Sequence, residues 1–309
     1  MPLCLTTDKV SFLNNIIDFL DLNKIEYFKD VSMKKYTSFK IGGNAELMCI
    51  VKNNIELSLL LEFLNKSNIK PFIIGNGSNL IVRDTGIKGV VVKLEGEFEN
   101  LSCDGKKIIA GAGATLNSLC RFALQNELTG LEFAFGIPGT VGGAAYMNAG
   151  AYGGQMSDVT VKVNHMNLDG SVGFFTVDKL DFGYRHSAYS DKDMVITSVE
   201  LELSEGNADV ISSAMNDFWQ RRKDKQPLNY PSAGSVFKRP EGYFAGVLIE
   251  QSGLKGVSVG GAQVSEKHAG FIINKGNATC EDVLSLVKHC QKTVKEKFGV
   301  DLECEIRLV

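Results

Sequence analysis

Residues 136–154 read GIPGTVGGAAYMNAGAYGG, seven glycines in nineteen positions and no side chain that is charged at neutral pH. Ordering glycine is costly, about 0.5–1 kcal/mol relative to alanine in a regular element, so a run this dense answers a specific need. Two needs fit. One is tight turns with close backbone packing; the other is a surface of bare N–H groups that cradles a phosphate or pyrophosphate. Spacing narrows the second. No G-x-x-x-x-G-K-[ST] occurs in the chain, which excludes a P-loop. GAGATL, residues 111–116, lies between a strand pattern and a helix pattern as a Rossmann turn does, but Leu116 occupies its third glycine position, and we read against a dinucleotide site there. A two-part pattern remains: the short turn GNGSN, residues 75–79, and the long segment 136–154.

Outward from these segments the apolar spacing alternates between two periods. Helical spacing predicts helices over 11–22, with Phe12, Leu13, Ile16, Ile17 and Leu20 on one face, and over 53–68, 115–128, 209–225 and 280–298. Thr279 and Asp282 form a capping-box start for the last of these. The basic end of 209–225 reads as a solvated helix C-terminus that complements the dipole. KPFIIGNGSNLIVRD, residues 70–84, reads as strand, tight glycine turn, strand. Further strands are predicted at 89–94, 106–110, 159–168, 173–177 and 194–203, with a boundary near 204–208 and a terminal strand. In VDLECEIRLV the residues Val300, Leu302, Cys304, Ile306 and Leu308 alternate with Asp301, Glu303, Glu305 and Arg307. On spacing alone Glu305 belongs to an exposed polar face.

The 309 residues leave room for two or three packed units. With 44% hydrophobic and 22% charged residues, the chain has the composition of an ordinary globular protein. A net charge of −3 supplies no global field toward nucleic acid or an anionic membrane, so an anionic ligand needs a local pocket. MPLCLTTDKV lacks the basic-then-apolar order of a signal peptide, and no apolar run reaches the ~18 residues of a membrane span; the reading is cytoplasmic. Seven cysteines at 4, 49, 103, 120, 280, 290 and 304, with no C-x-x-C, read as reduced thiols. His165, His186, His268 and His289 show no ligand spacing, and no metal is expected.

Eight ordered motifs carry a resemblance: YTSFKIGGNAE (36–46), GNGSNLIV (75–82), GLEFAFGIPGTVGGAAYMNAGAYGG (130–154), FGYRHS (182–187), PSAGSVFKRP (231–240), LIEQSGLKG (248–256), VSEKHAGFIIN (264–274) and LECEIRLV (302–309). Together they resemble the UDP-N-acetylenolpyruvoylglucosamine reductase family in its shorter, type II form, within the vanillyl-alcohol-oxidase-type FAD-binding superfamily. The resemblance implies an α+β fold, with a two-subdomain FAD-binding unit (PCMH/VAO-type) and a smaller α+β substrate domain. Its boundaries would be 1–92 for the first FAD subdomain, with 299–309 returning to it, 93–206 for the second and 207–298 for the substrate domain. It further implies an NADPH-dependent oxidoreductase of peptidoglycan precursor synthesis, acting on a small UDP-sugar, with no obligate protein partner. Some superfamily members link flavin covalently to histidine; here the first histidine, His165, lies outside both glycine segments, so FAD is expected to be non-covalent.

Residue roles follow from the same resemblance. Reduced flavin would deliver hydride to the enolpyruvyl methylene, and the charge that builds on the adjacent carbon and its carboxylate needs donors already aimed at it. Arg185 suits that task, being permanently charged and able to bind a carboxylate through two parallel bonds. Glu305 would assist, its pKa raised by burial and the neighbouring anion. Ser235 matches the proton donor to the second carbon. Tyr184 is placed with the substrate contacts; Lys238, from its proximity in sequence to Ser235 alone, would stabilise the serine alkoxide or contact the substrate diphosphate. Gly75, Asn76, Gly77, Ser78 and Asn79 would face one side of the FAD pyrophosphate, and Gly139, Thr140, Gly142, Gly143, Asn148, Gly150, Tyr152 and Gly153 the other side and the flavin edge. Gly270 stands where many relatives carry asparagine. Two other readings keep the glycine segments: a different flavin oxidase of the superfamily, which has no use for Arg185, Ser235 and Glu305 in their motifs, and a nucleotide-sugar binding protein without redox activity.

Overall fold

The computed structural model describes residues 5–309, with side chains from Leu13 onward; Cys4 and the Phe12 side chain lie outside the described residues. Seven helices are described: α1 (Leu5–Leu22), α2 (Asn54–Lys66), α3 (Leu116–Gln125), α4 (Val141–Met147), α5 (Ala208–Lys225), α6 (Ala245–Gln251) and α7 (Cys280–Phe298). Their starts are chemically marked, because side-chain oxygens accept from otherwise unpaired N–H groups. Asn53 caps α2, Thr115 caps α3, and Thr279 with Asp282 closes the capping box of α7. Gly299, at φ +71°, ends α7 in the left-handed region where glycine carries no Cβ penalty.

The first sheet runs in the order Glu26–Ser32, Asn44–Val51, Ile87–Leu94, Phe72–Ile74, with an antiparallel outer pair and parallel inner pairings. Its central strands, NAELMCIV and IKGVVVKL, are nearly continuous apolar runs, as a sheet covered on both faces requires. Leu47, Cys49, Val51, Val90 and Val92 face a core shared with α2 and α3, whereas Ala45, Met48, Ile50 and Val91 face a second core with Met33 and Val82. A five-stranded antiparallel sheet follows, ordered Val172–Thr176, Thr160–Asn167, Met194–Glu202, Lys107–Gly111, Leu101–Asp104. The third core packs α6 and α7 on a small sheet of Ser258–Val259, Ala262–Val264 and Ile272–Asn274, and also takes in Phe39, Ile41 and Ile81.

The strands flanking GNGSN form as expected: Phe72–Ile74 joins the first sheet and Leu80–Ile81 pairs in parallel with Arg307–Leu308, so the turn passes between sheets. Two other expectations need correction. The alternation from Val300 to Leu308 yields a strand only at Arg307–Leu308, because the preceding backbone bonds to Val236 and Lys238, just past PSAGS, instead. At the end of α5, Arg222 is buried at 6% exposure, not solvated. The GAGATL turn is filled by protein: Gly142 N–H donates to Ala112 O at 2.9 Å and Val141 N–H to Ala114 O at 2.8 Å.

His165 sits in the middle of the five-stranded sheet, 4% exposed, with Nδ1 2.8 Å from the Tyr189 hydroxyl, which donates in turn to Val163 O at 3.2 Å. Burial, reinforced by Lys192, pulls its pKa below the ordinary histidine value. A depressed histidine is bound neutral in the folded state, so stability is retained above about pH 6.5 and lost as the unfolded chain takes up the proton below it, by up to ~1.4 kcal/mol per pH unit. Urea melts at pH 7.5 and 5.5 should show a larger loss for the native chain than for His165→Gln; equal losses would remove His165 as the cause.

Candidate functional site

The two glycine segments meet. A Cβ on Gly75 would stand 2.4 Å from Thr140 Oγ1, and Asn76 Nδ2 donates to Pro138 O at 3.2 Å. Gly77, at φ +57°, approaches the 36–38 turn so closely that a Cβ would lie 2.2 Å from Tyr36 O. Within the described chain no hydrogen bond uses the N–H of Asn76, Gly77 or Ser78. These donors adjoin a cavity of about 320 Å³ lined by Lys35, Tyr36, Thr37, Ser38, Gly75, Asn76 and Lys93. Free N–H groups, a backbone that only glycine admits and two lysines, of which Lys93 pairs with Glu95 as it stands, are the donor set that a pyrophosphate needs.

Lys35 and Lys93 were not singled out by sequence reasoning. Thr37 and Ser38 lay inside a quoted motif, but Lys93 reaches the cavity only because it is the register partner of Ile74, the residue before Gly75. Other predicted members of the set have structural partners. Gly143 N–H donates to Thr140 Oγ1 at 3.3 Å, capping α4. Asn148, 2% exposed and left-handed at φ 43°, ends α4, donates to Gly183 O at 3.0 Å and accepts from Ser157 N at 2.9 Å. Gly150 belongs to the small hairpin with Gly154–Gln155, and Tyr152 and Gly153 form its positive-φ tip. Asn79 donates from Nδ2 to Glu305 O at 3.0 Å and accepts from Arg307 N at 2.9 Å, so it anchors the C-terminal segment. A larger opening of about 450 Å³, lined by Lys223, Tyr230, Lys267 and Lys275 among others, includes none of the predicted site residues.

The three remote polar residues converge through backbone pairing. Tyr184 and Arg185 form the tip of a tight turn closed by Gly183 and His186, and Arg185 adopts φ +57°. Asn148 holds that turn through Gly183 O, and Ser187 holds it by donating to Tyr146 O at 2.8 Å. Arg185 Nε donates to Glu305 Oε1 at 2.6 Å, with both side chains mostly buried. Glu305 N–H donates to Val236 O at 2.8 Å, placing Ser235 one residue from Glu305's backbone partner; Ser235 itself faces Phe271 in an isolated bridge. Lys238 pairs with the exposed Glu303 carboxylate. Tyr184 hydroxyl accepts from Arg239 N at 3.2 Å, and the Arg185 guanidinium lies 5.0 Å from the Tyr184 ring centre. Sequence reasoning missed Arg307, which donates to Tyr146 hydroxyl and lies 4.5 Å from that ring's centre, tying the C-terminal segment to α4. Gly270 N–H donates to His268 Nδ1, and a Cβ there would stand 2.9 Å from the same ring, so the small residue makes room for the histidine.

Among the described residues no cluster of histidine, cysteine and carboxylate side chains could hold a metal, and no helix is long and apolar enough to cross a membrane. The cysteines that are described are unpaired, and burial pushes Cys49, Cys120 and Cys290 up to about 12.

Comparison with known proteins gives a consistent result. Residues 45–173 match an FAD binding domain, and residues 226–309 match the C-terminal domain of UDP-N-acetylenolpyruvoylglucosamine reductase. The protein of that name from Caldanaerobacter subterraneus subsp. tengcongensis is 52% identical over 277 residues, covering 90% of this chain and 91% of that one. Its counterpart from Clostridium novyi is 47% identical over 288 residues, covering 93% and 94%. The crystal structure of UDP-N-acetylenolpyruvylglucosamine reductase from Thermus caldophilus superposes with a TM-score of 0.78 at 36% identity, covering 92% of this chain and 98% of that one.

Proposed function

Because this chain belongs to the UDP-N-acetylenolpyruvoylglucosamine reductase family, and so is an FAD-containing oxidoreductase that draws on NADPH, we propose that Arg185, Glu305 and Ser235 carry its reaction. The reaction converts the enolpyruvyl ether of UDP-N-acetylglucosamine to the lactyl ether. FAD, when bound, carries the electrons from NADPH to that ether. The observation that supports the assignment is the meeting of Arg185 and Glu305, 120 positions apart, with the Glu305 backbone bonded to Val236, the residue next to Ser235.

Arg185 binds and orients the substrate carboxylate. Its Nε is held by Glu305, which leaves the remaining N–H groups of the fork to face an incoming carboxylate in a fixed plane. As negative charge develops beside that carboxylate, the guanidinium is already in place and no side chain must reorganise. Ser235 Oγ holds the proton delivered to the second carbon, and the bridge to Phe271 fixes the face from which it comes. Tyr184 packs against Arg185 and keeps the turn tip closed. Lys238, paired with Glu303 as it stands, can turn toward the substrate diphosphate.

We assign the cofactor pyrophosphate to the cavity between the 35–38 turn and Gly75–Ser78, with Lys35 and Lys93 as counter-charges. Gly139 and Thr140 close it from the other segment, Gly142 and Gly143 let that segment approach, and Asn148, Gly150, Tyr152 and Gly153 shape the flavin edge. We further assign residues 1–92 with 299–309, 93–206 and 207–298 to the two FAD subdomains and the substrate domain. The small UDP-sugar substrate and NADPH make the cytoplasm the place of action, and the reaction needs no protein partner.

The reading is tested by anaerobic reduction of the yellow protein with NADPH, followed by the enolpyruvyl nucleotide. Reoxidation by the nucleotide should far outpace reoxidation by oxygen; the reverse would favour an oxidase, and a protein unable to take up FAD would defeat both. Gly75→Ala provides a local check. Its Cβ would press on Thr140 Oγ1 and part the two segments, so FAD affinity should fall at least tenfold by fluorescence titration, about 1.4 kcal/mol or more.

A further inference from the structure

Arg222 is a cation on the buried side of α5, 6% exposed, and its hydrogen bonds go to backbone carbonyls. Nε donates to Phe135 O at 3.1 Å and Nη2 to Phe133 O at 3.4 Å, both just before Gly136. Its guanidinium also lies 5.1 Å from the ring centre of Tyr152, the positive-φ tip at the far end of the same glycine segment. The Phe218 ring also stacks on Tyr152, at 4.7 Å and 3°. Gly136, at φ +85°, has no room for a Cβ because Trp219 and Arg222 Cδ stand 2.8 and 2.9 Å from where it would be. One face of α5 thus grips both ends of residues 136–154. Burying a charge with only carbonyl and ring partners is expensive, so its retention calls for a task that an apolar residue cannot perform.

We propose that Arg222 is a positioning residue for the flavin: by bridging Phe133, Phe135 and Tyr152 it locks the glycine segment into the shape that receives the cofactor. This rests on the reading of the segment as an FAD site. A guanidinium can bond two carbonyls in one plane while stacking on a ring; an ammonium offers a point charge and no plane. Arg222→Lys therefore keeps the charge and loses the clamp. Phe218→Leu removes the other α5 contact to the Tyr152 ring and leaves Arg222 in place.

The test measures FAD dissociation constants by flavin fluorescence and the shape of the bound flavin's visible spectrum, alongside thermal melts of the apoproteins. Arg222→Lys should weaken FAD at least tenfold and alter the spectrum, and Phe218→Leu should do so in the same direction by about threefold. A lowered melting temperature with the native dissociation constant and spectrum would show a merely structural role and overturn the proposal. Should Arg222→Lys fail to fold, Phe218→Leu decides by the same criterion. Failure of the native chain to bind FAD would instead overturn the functional reading on which the proposal stands.

Discussion

Ser235→Ala should leave reduction of the bound flavin by NADPH unchanged and slow reoxidation by the enolpyruvyl nucleotide by roughly 10²–10⁴-fold, the range that a placed proton donor contributes. The separation follows from geometry. Ser235 is held by backbone pairing to Phe271, and its neighbour Val236 accepts from Glu305 N–H; on the proposed reading this puts the hydroxyl at the substrate ether. Removing one oxygen atom from a half-buried serine disturbs none of these backbone bonds. A hydroxyl is a weak acid, but the species it meets is a strong base, so orientation rather than acidity decides its value. Stopped-flow traces of the two half-reactions provide the measurement; equal slowing of both would count against the assignment.

Arg185→Ala should lower the rate of the same half-reaction by about 10²–10³-fold, as loss of a preorganised donor does. It also leaves the mostly buried Glu305 carboxylate without its cation, and breaking a buried pair by removing one partner is more harmful than replacing both. The double variant Arg185→Ala with Glu305→Gln should therefore be more stable than the single one while remaining equally slow. Arg185→Lys restores charge without the two-point fork, and its rate should fall between those of the native chain and the alanine variant. A native reoxidation rate in the alanine variant would exclude Arg185 from the reaction.

Much of this site was legible in the linear chain because its chemistry is local. The glycine turns need backbone freedom that no other residue supplies, and helix caps at Asn53, Thr115 and Thr279 are written within three residues of where they act. Partners set by long-range register were not legible. Lys93 looks like one residue of an apolar strand until its pairing with Ile74 brings it beside Gly75. Period-two spacing placed Glu305 on an exposed face, yet its side chain is only 12% exposed, because the segment bonds to Val236 and Arg185 rather than extending as a regular edge strand. Arg222 was hidden for a related reason. A basic cluster at a helix end resembles a solvated one, and only the carbonyls of Phe133 and Phe135, in a distant segment, reveal that one of its members turns inward.

The pairing of Leu80–Ile81 with Arg307–Leu308 bears on how the molecule comes into being. Asn79 and Glu305 are bonded across 226 of the 309 positions, so on the ribosome the GNGSN turn waits through most of translation for its neighbour. Closing so long a loop is entropically slow, which makes docking of the last few residues the expected late step of maturation. Until it occurs, the glycine turns proposed to receive the coloured cofactor stand complete without Glu305, the carboxylate proposed to work beside it.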